Sequence, residues 1–382
     1  MTRLHDELEL IAQDAPTVDL AERALRRARR QRLTSALGAA VAVVAALAVG
    51  AAVLVSGPSD VRRSTATTVF SDVLPASGVE AARYAYYDFC GRQWDPGRNT
   101  AELGAKECAQ WKIVTRGGQT YRVPEALSVY SEQSKEEYMN TGAPLEISSD
   151  GTRIAYYSEK DQKFAVRDLE SGQIWLLPGG VDRKTLVAKG VLLQFSPDGR
   201  HLWDSLDRTI VEVETGVSAP VPDGWFVDKV SNGGAPAVVS GDDDRFGLLA
   251  DGKVTPFPVK GTWVTVGHLA ADGRTLAYLS GVSNGMESRP ADSLVTVDTA
   301  TGKMVREVTF KGAPEHFSPM RVGGWLNEDE ILVVDSLKNN FRDRTPMLGD
   351  VTYAVNVTTG QVRTLETYSY KAWAGDLVIP GL

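Results

Sequence analysis

The chain has 382 residues, with 41 lysines and arginines against 49 acidic residues and a formal net charge of −8. That length can bury a substantial core, and the acidic balance excludes nucleic acid as a partner, since phosphate backbones demand a basic surface.

Residues 1–33 hold seven arginines and six acids and predict a short helical cytoplasmic head. Asp19 near the start of the segment 19–30 and arginines near its end favour the helix dipole. Leu4, Leu8 and Ile11 make a short apolar stripe able to dock a cytoplasmic partner, and the head has no Cys/His set for zinc. Residues 19–30 are also similar to the juxtamembrane segment of single-pass actinobacterial membrane proteins, some of which accompany extracytoplasmic-function sigma factors.

Residues 34–56 carry no charge and predict one transmembrane helix. The cluster Arg26-Arg27-Ala28-Arg29-Arg30-Gln31-Arg32 precedes it, so the positive-inside rule puts residues 1–33 in the cytoplasm and the remainder outside the cell membrane. A cleaved signal peptide is the rival reading, but its apolar stretch is shorter, at about 7–15 residues. Segment 57–80, rich in Ser, Thr and small residues, is expected to be a stalk leading to an external domain over 81–382. Both cysteines, Cys90 and Cys108, fall in that external part, where a nearby pair predicts a disulfide closing the loop 91–107.

The external domain repeats itself. Five first turns read Ser148-Ser-Asp-Gly151, Ser196-Pro-Asp-Gly199, Ser231-Asn-Gly-Gly234, Ala270-Ala-Asp-Gly273 and Asn327-Glu-Asp-Glu330, each followed by an apolar strand. Five second turns follow at Asp168–Gly172, Glu212–Gly216, Leu248–Gly252, Asp298–Gly302 and Asn356–Gly360. Asp-Gly and Thr-Gly pairs supply the positive φ of tight hairpins, and β-branched runs lie between them. Four-stranded units recurring at this spacing predict a β-propeller. A sixth, degenerate unit is visible at 82–89, 111–115 and 119–123, and the apolar tail 373–382 is able to supply its missing innermost strand and close the ring. The fold class is therefore all-β: a six-bladed β-propeller after one transmembrane helix and a short helical N-terminus.

The turns Ser148–Gly151 and Ser196–Gly199, each leading through an arginine into an apolar strand, resemble the TolB-like, WD-repeat-like propeller motif. Blades four and six depart from it at Asn232-Gly233-Gly234 and Glu328-Asp329-Glu330. The resemblance implies the fold over roughly 82–382. Its Asp and Gly are turn chemistry, so they carry no catalytic expectation.

Catalytic signatures are weak. His201, His268 and His316 stand in no metal-ligand spacing, and there is no Gly-x-Ser-x-Gly elbow. Asp242-Asp243-Asp244 lacks the register of a calcium loop, and Asn356-Val-Thr358 lies on a repeat turn. No catalytic residue, metal site or cofactor is expected. Trp225, Trp263 and Trp325 sit near innermost strands, where blade packing accounts for them. The residues just before the recurring apolar position, Glu146, Gln194, Lys229, His268 and Trp325, recur at one offset and are the candidate channel lining. Three long connections, 91–110, 281–292 and 336–350, belong to the first, fifth and sixth blades and open on one face.

The expectation is a membrane-anchored, non-enzymatic binding or scaffold module for a protein, peptide or cell-envelope ligand. Two alternatives stand beside it: a transmembrane signalling protein whose head regulates a partner such as a sigma factor, and a hydrolase or lyase using the propeller funnel.

Overall fold

Apolar runs of period two, broken by glycine turns, pair into six four-stranded antiparallel sheets, the blades of a closed propeller. The computed structural model describes residues 72–88, 94–95, 100–101, 110–127, 144–241, 245–259, 263–283, 288–315, 317–336, 350–368 and 374–382. The chain divides into two compact units, Met1–Leu37 and Gly38–Leu382, and every described residue belongs to the second. The expected head at 1–33, the apolar run 34–56 and the pair Cys90 and Cys108 thus lie outside the described residues. No helix among the described residues is long and apolar enough to cross a membrane.

Blade 2 runs Leu145–Ile147, Arg153–Ser158, Lys163–Asp168 and Ile174–Leu176, from the inside outward. Blades 3 to 6 repeat that order, beginning at Leu193–Phe195, Trp225–Lys229, Trp263–Leu269 and Pro319–Trp325. Blade 1 is composite: Ala374–Val378 is its inner strand, followed by Ala82–Asp88, Gln110–Thr115 and Thr120–Arg122. The closing register pairs Ala85 with Val378, Tyr86 with Leu377 and Asp88 with Ala374. Sealing the ring this way removes two unpaired sheet edges.

The first turns share one device. In blade 2, Ser148 Oγ donates to Asp150 Oδ1 at 2.6 Å, which also accepts the Thr152 amide at 3.0 Å, while Ser148 Oγ accepts the Arg153 amide at 2.9 Å. Asp272 does the same in blade 5, taking the Arg274 and Thr275 amides at 2.8 Å. Blade 6 substitutes Asn327, whose Oδ1 accepts the Asp329 and Glu330 amides at 2.9 Å. In blade 4 the missing carboxylate comes from next door, since Asp198 of blade 3 accepts the Gly233 amide at 3.2 Å. The two departures from the motif therefore keep the turn with different chemistry.

Five apolar clusters fill five of the seams between neighbouring blades. Ile113, Ile147 and Ile154 lie in the first; Phe195 and Leu202, Val230 and Val239, Leu276 and Val295, and Ile331 and Val333 lie in the others. The sixth seam, between blades 6 and 1, is made differently. Its described side-chain contacts include an edge-on Tyr84–Tyr368 pair with centroids 5.5 Å apart, an Arg83–Glu366 ion pair, and Arg83 5.8 Å from the Tyr368 ring.

Three features differ from expectation. Residues 72–80, assigned above to a stalk, are packed on the propeller. Val73 bridges Arg122, the Leu74 amide donates to the Arg122 carbonyl at 2.8 Å, Arg122 pairs with Asp72 at 2.6 Å, and Leu74 and Val79 are buried. Short apolar residues spaced among Ser and Gly look like linker but fit a groove between blades 1 and 2. Secondly, much of 281–292 is strand: Val282 pairs with Arg289 and Ser283 with Ser288, so blade 5 carries a long ribbon. Thirdly, the link from blade 2 to blade 3 holds a helix, Arg183–Lys189, capped by Asp182 accepting the Thr185 amide at 2.8 Å. It is pinned by the buried Leu186.

Candidate functional site

Two regions offer themselves as sites: the ring of innermost strands, and the face that bears the long connections. Inner strands of blades 1 and 2, 2 and 3, 4 and 5, and 5 and 6 lie against each other. All five residues Glu146, Gln194, Lys229, His268 and Trp325 fall on them, one on each of blades 2 to 6.

Two of the five are used structurally. His268 is buried, and its Nδ1 lies 3.1 Å from the Val230 carbonyl of blade 4. A carbonyl only accepts, so Nδ1 carries the hydrogen of a neutral ring. The Trp325 indole of blade 6 in turn donates to the His268 carbonyl at 2.9 Å. Next along, the Gly324 amide donates to the Gly381 carbonyl at 2.9 Å, joining blade 6 to the closing segment. A hydrogen-bonded belt thus links blades 4, 5, 6 and 1.

The other three are Glu146, Gln194 and Lys229. Glu146 and Gln194 are half-buried and Lys229 is 8% exposed, yet the Gln194 Oε1 is buried without a partner. Burial pushes the Glu146 carboxyl up to about 8, against the pull of Lys229 and Arg321. Burial likewise lowers the Lys229 ammonium to about 8, while Glu146 and Asp228 hold it up and Arg321 opposes them. Arg321, on the inner strand of blade 6, forms an ion pair with Asp350. It is a further inner-strand charge that the repeat offset did not pick out, because it stands four residues before Trp325 rather than at the recurring position.

His268 yields a pH prediction. Burial, with Lys229 nearby, holds its imidazole down to about 3, whereas an unfolded histidine titrates near 6.5. Between these values the unfolded chain binds the extra proton, so stability is present above about pH 6.5 and falls as the pH drops, by about 1.4 kcal/mol per pH unit. Urea midpoints measured from pH 7 to pH 4 should decline, and His268→Gln should flatten that decline.

His201 is half-buried with its Nδ1 unpartnered, and His316 and Asp242–Asp244 lie outside the described residues. Among the described residues no group of three His, Cys, Asp or Glu is placed to hold a metal. Asn356 caps its own turn, accepting the Thr358 and Thr359 amides at 3.0 and 2.8 Å. Trp225 is half-buried with the Arg245 guanidinium 5.2 Å from its ring.

On the second region, connections between second and third strands leave one face of every blade. Blades 2 and 3 cross with short links, between Ser158 and Lys163 and between Asp204 and Thr209. Blade 1 crosses from Asp88 to Gln110, blade 6 from Ser336 to Asp350, and blade 5 extends its strands to Ser283 and Ser288. Ring closure makes blades 5, 6 and 1 consecutive, so the strand ends that bear these connections stand on neighbouring blades. A small ribbon, Trp94–Asp95 with Thr100–Ala101, belongs to the blade 1 connection.

No protein-family model matches the chain, and no curated protein matches it in sequence. Among solved structures it is similar to TolB from Acinetobacter baumannii, with 15% identity and a TM-score of 0.45 over 78% of this chain and 65% of that one. It is similar to Kuenenia stuttgartiensis hydrazine synthase at 15% identity and a TM-score of 0.36, over 59% of this chain and 67% of that one. The propeller domain of Myceliophteria thermophila Cps50 (Swd1) aligns at 13% identity and a TM-score of 0.35, over 60% and 72%.

Proposed function

We propose that the protein is a membrane-anchored, extracytoplasmic propeller that binds a protein, peptide or cell-envelope ligand and performs no catalysis. The observation that carries this reading is the clustering of the extended connections on the consecutive blades 5, 6 and 1. Rigid sheets hold such segments in fixed relation, the usual way a scaffold presents a recognition surface. The uncharged run 34–56 behind its arginine cluster supports the anchor and its orientation.

A pulldown from cell-envelope extract tests it, using the full chain beside a form in which residues 91–108 are replaced by a short Gly-Ser link. The intact chain should retain a partner that the trimmed chain loses by at least about tenfold, an order expected when a central contact is removed. Equal capture by both forms would move recognition away from this face. No capture by either would count against a binding role there.

A further inference from the structure

We propose that the seam between blades 6 and 1 binds a neutral saccharide, stacked on Tyr86 beside Tyr84 and hydrogen-bonded by the Gln110 amide. This names a ligand class within the binding role proposed above and rests on that role, but not on the long connections.

The strand registers place these groups. On blade 1, Ala85, Tyr87, Trp111 and Ile113 belong to the cluster shared with blade 2. Their neighbours along the same two strands, Tyr84, Tyr86 and Asp88 with Lys112 and Gln110 opposite, therefore face blade 6. On blade 6, Val351 and Tyr353 pack toward blade 5, so Asp350 and Thr352 face blade 1, with Tyr368 and Glu366 paired to them. The other seams are filled by apolar clusters, whereas these two walls carry tyrosines, an amide and charge.

The charges cancel in pairs: Arg83 with Glu366, Lys112 with Asp88 and Arg321 with Asp350. What remains is aromatic and uncharged. Tyr84 meets Tyr368 edge-on across the seam. Tyr86 lies 6.1 Å from Tyr84 with ring planes 32° apart, so the two half-buried rings make a shelf along the strand. Gln110 stands opposite Asp88 and is the diagonal neighbour of Tyr86, about 7–8 Å away. Its Oε1 is buried without a partner among the described residues, an acceptor that calls for an N–H or O–H donor.

This set selects the guest. A free ion finds every one of these charges already paired, and burying it without a counter-charge is costly. An extended peptide finds no open backbone edge, because Ala82–Asp88 and Asp350–Asn356 are each paired on both sides. A pyranose ring needs neither. Its C–H face packs on an aromatic ring, and its hydroxyls donate to the Gln110 oxygen. The saccharide has two sources, a free sugar or the glycan chain of a cell envelope.

Calorimetric titration of the full chain at pH 7, in a zwitterionic detergent without sugar headgroups, tests this. The probes are N-acetylglucosamine, its linear trimer, maltotriose, triglycine and inorganic phosphate. Saturable binding of a saccharide, with none of triglycine or phosphate, is the expected result. Equal affinity for the monosaccharide and its trimer identifies a free sugar, and tighter binding of a trimer identifies a glycan chain; either supports the proposal. Tyr86→Ala should weaken that binding at least about tenfold, and Gln110→Leu about fivefold, the size of one hydrogen bond, both with the thermal midpoint retained. Tyr86→Phe, which keeps the ring, should bind as the natural chain does. The proposal is overturned by absence of binding to all three saccharides, by triglycine or phosphate binding as tightly as any of them, or by full affinity in both Tyr86→Ala and Gln110→Leu. A partner captured in the pulldown while no saccharide binds overturns this ligand class and leaves the binding role standing.

Discussion

Removal of Ala374–Leu382 is expected to lower the thermal midpoint by more than about 10 °C and to replace one cooperative unfolding step with a broad one. The segment is the inner strand of blade 1, paired with Ala85, Tyr86 and Asp88. Val378 packs against the cluster shared by blades 1 and 2, Ile379 is buried, and the Gly381 carbonyl accepts the Gly324 amide of blade 6. Its loss exposes the Ala82–Asp88 edge and leaves the seam between blades 6 and 1 dependent on the Tyr84–Tyr368 contact and the Arg83–Glu366 pair. Partly exposed ion pairs contribute little, at most about 1 kcal/mol. Calorimetry of the truncated chain, with and without a synthetic peptide of residues 371–382, is the check. Recovery of a sharp transition on adding the peptide is the expected result, and an unaltered midpoint after truncation would show that the ring holds without its closing strand.

The second large effect lies at Gly151, where Ala is expected to cost about 3–5 kcal/mol. Its φ is +77°, and a Cβ built there would stand 2.2 Å from the Ala82 carbonyl oxygen of blade 1. The local strain of a left-handed residue accounts for only about 1–2 kcal/mol. The remainder comes from a backbone collision, because relief requires moving one blade against the next and breaking the Ala82 amide's 2.7 Å bond to the Gly151 carbonyl. Gly252 is the control: its φ of +69° is similar, but nothing stands within 4 Å, so Gly252→Ala should show the strain alone. Urea unfolding of both variants separates the two contributions. Equal losses would mean that the blade contact yields freely.

The repeat was legible because turn chemistry is local. Ser148, Asp150 and Gly151 make their turn mostly with each other, so their spacing announces it wherever it occurs. The degenerate first blade was legible for another reason, since Ala82–Asp88 keeps the alternation of a second strand even without its own inner partner. What stayed hidden depends on contacts between distant segments. Asp198 capping the blade 4 turn, Leu74 settling beside Arg122 and Arg321 pairing with Asp350 leave no local periodicity to read. The helix Arg183–Lys189 left a faint trace in Asp182, Thr185 and Gly190, but about two turns of helix are too short for an apolar stripe. Similarly, the shared offset of Glu146, Lys229 and His268 marks position but not use: His268 is hydrogen-bonded into the wall, while Glu146 and Lys229 attract each other by charge from different inner strands.

The composite blade also sets an order of events during synthesis. Strand Ala82–Asp88 leaves the ribosome early, and its inner partner, Ala374–Val378, is added after blades 2 to 6 are complete. At about 5–20 residues per second, the first blade waits roughly 15–60 s for its partner. Throughout that interval an apolar strand keeps one hydrogen-bonding edge open to any passing strand, including that of a second nascent copy. Slow translation through the last blade would prolong this exposure, so the yield of folded protein depends on how quickly the final few residues arrive.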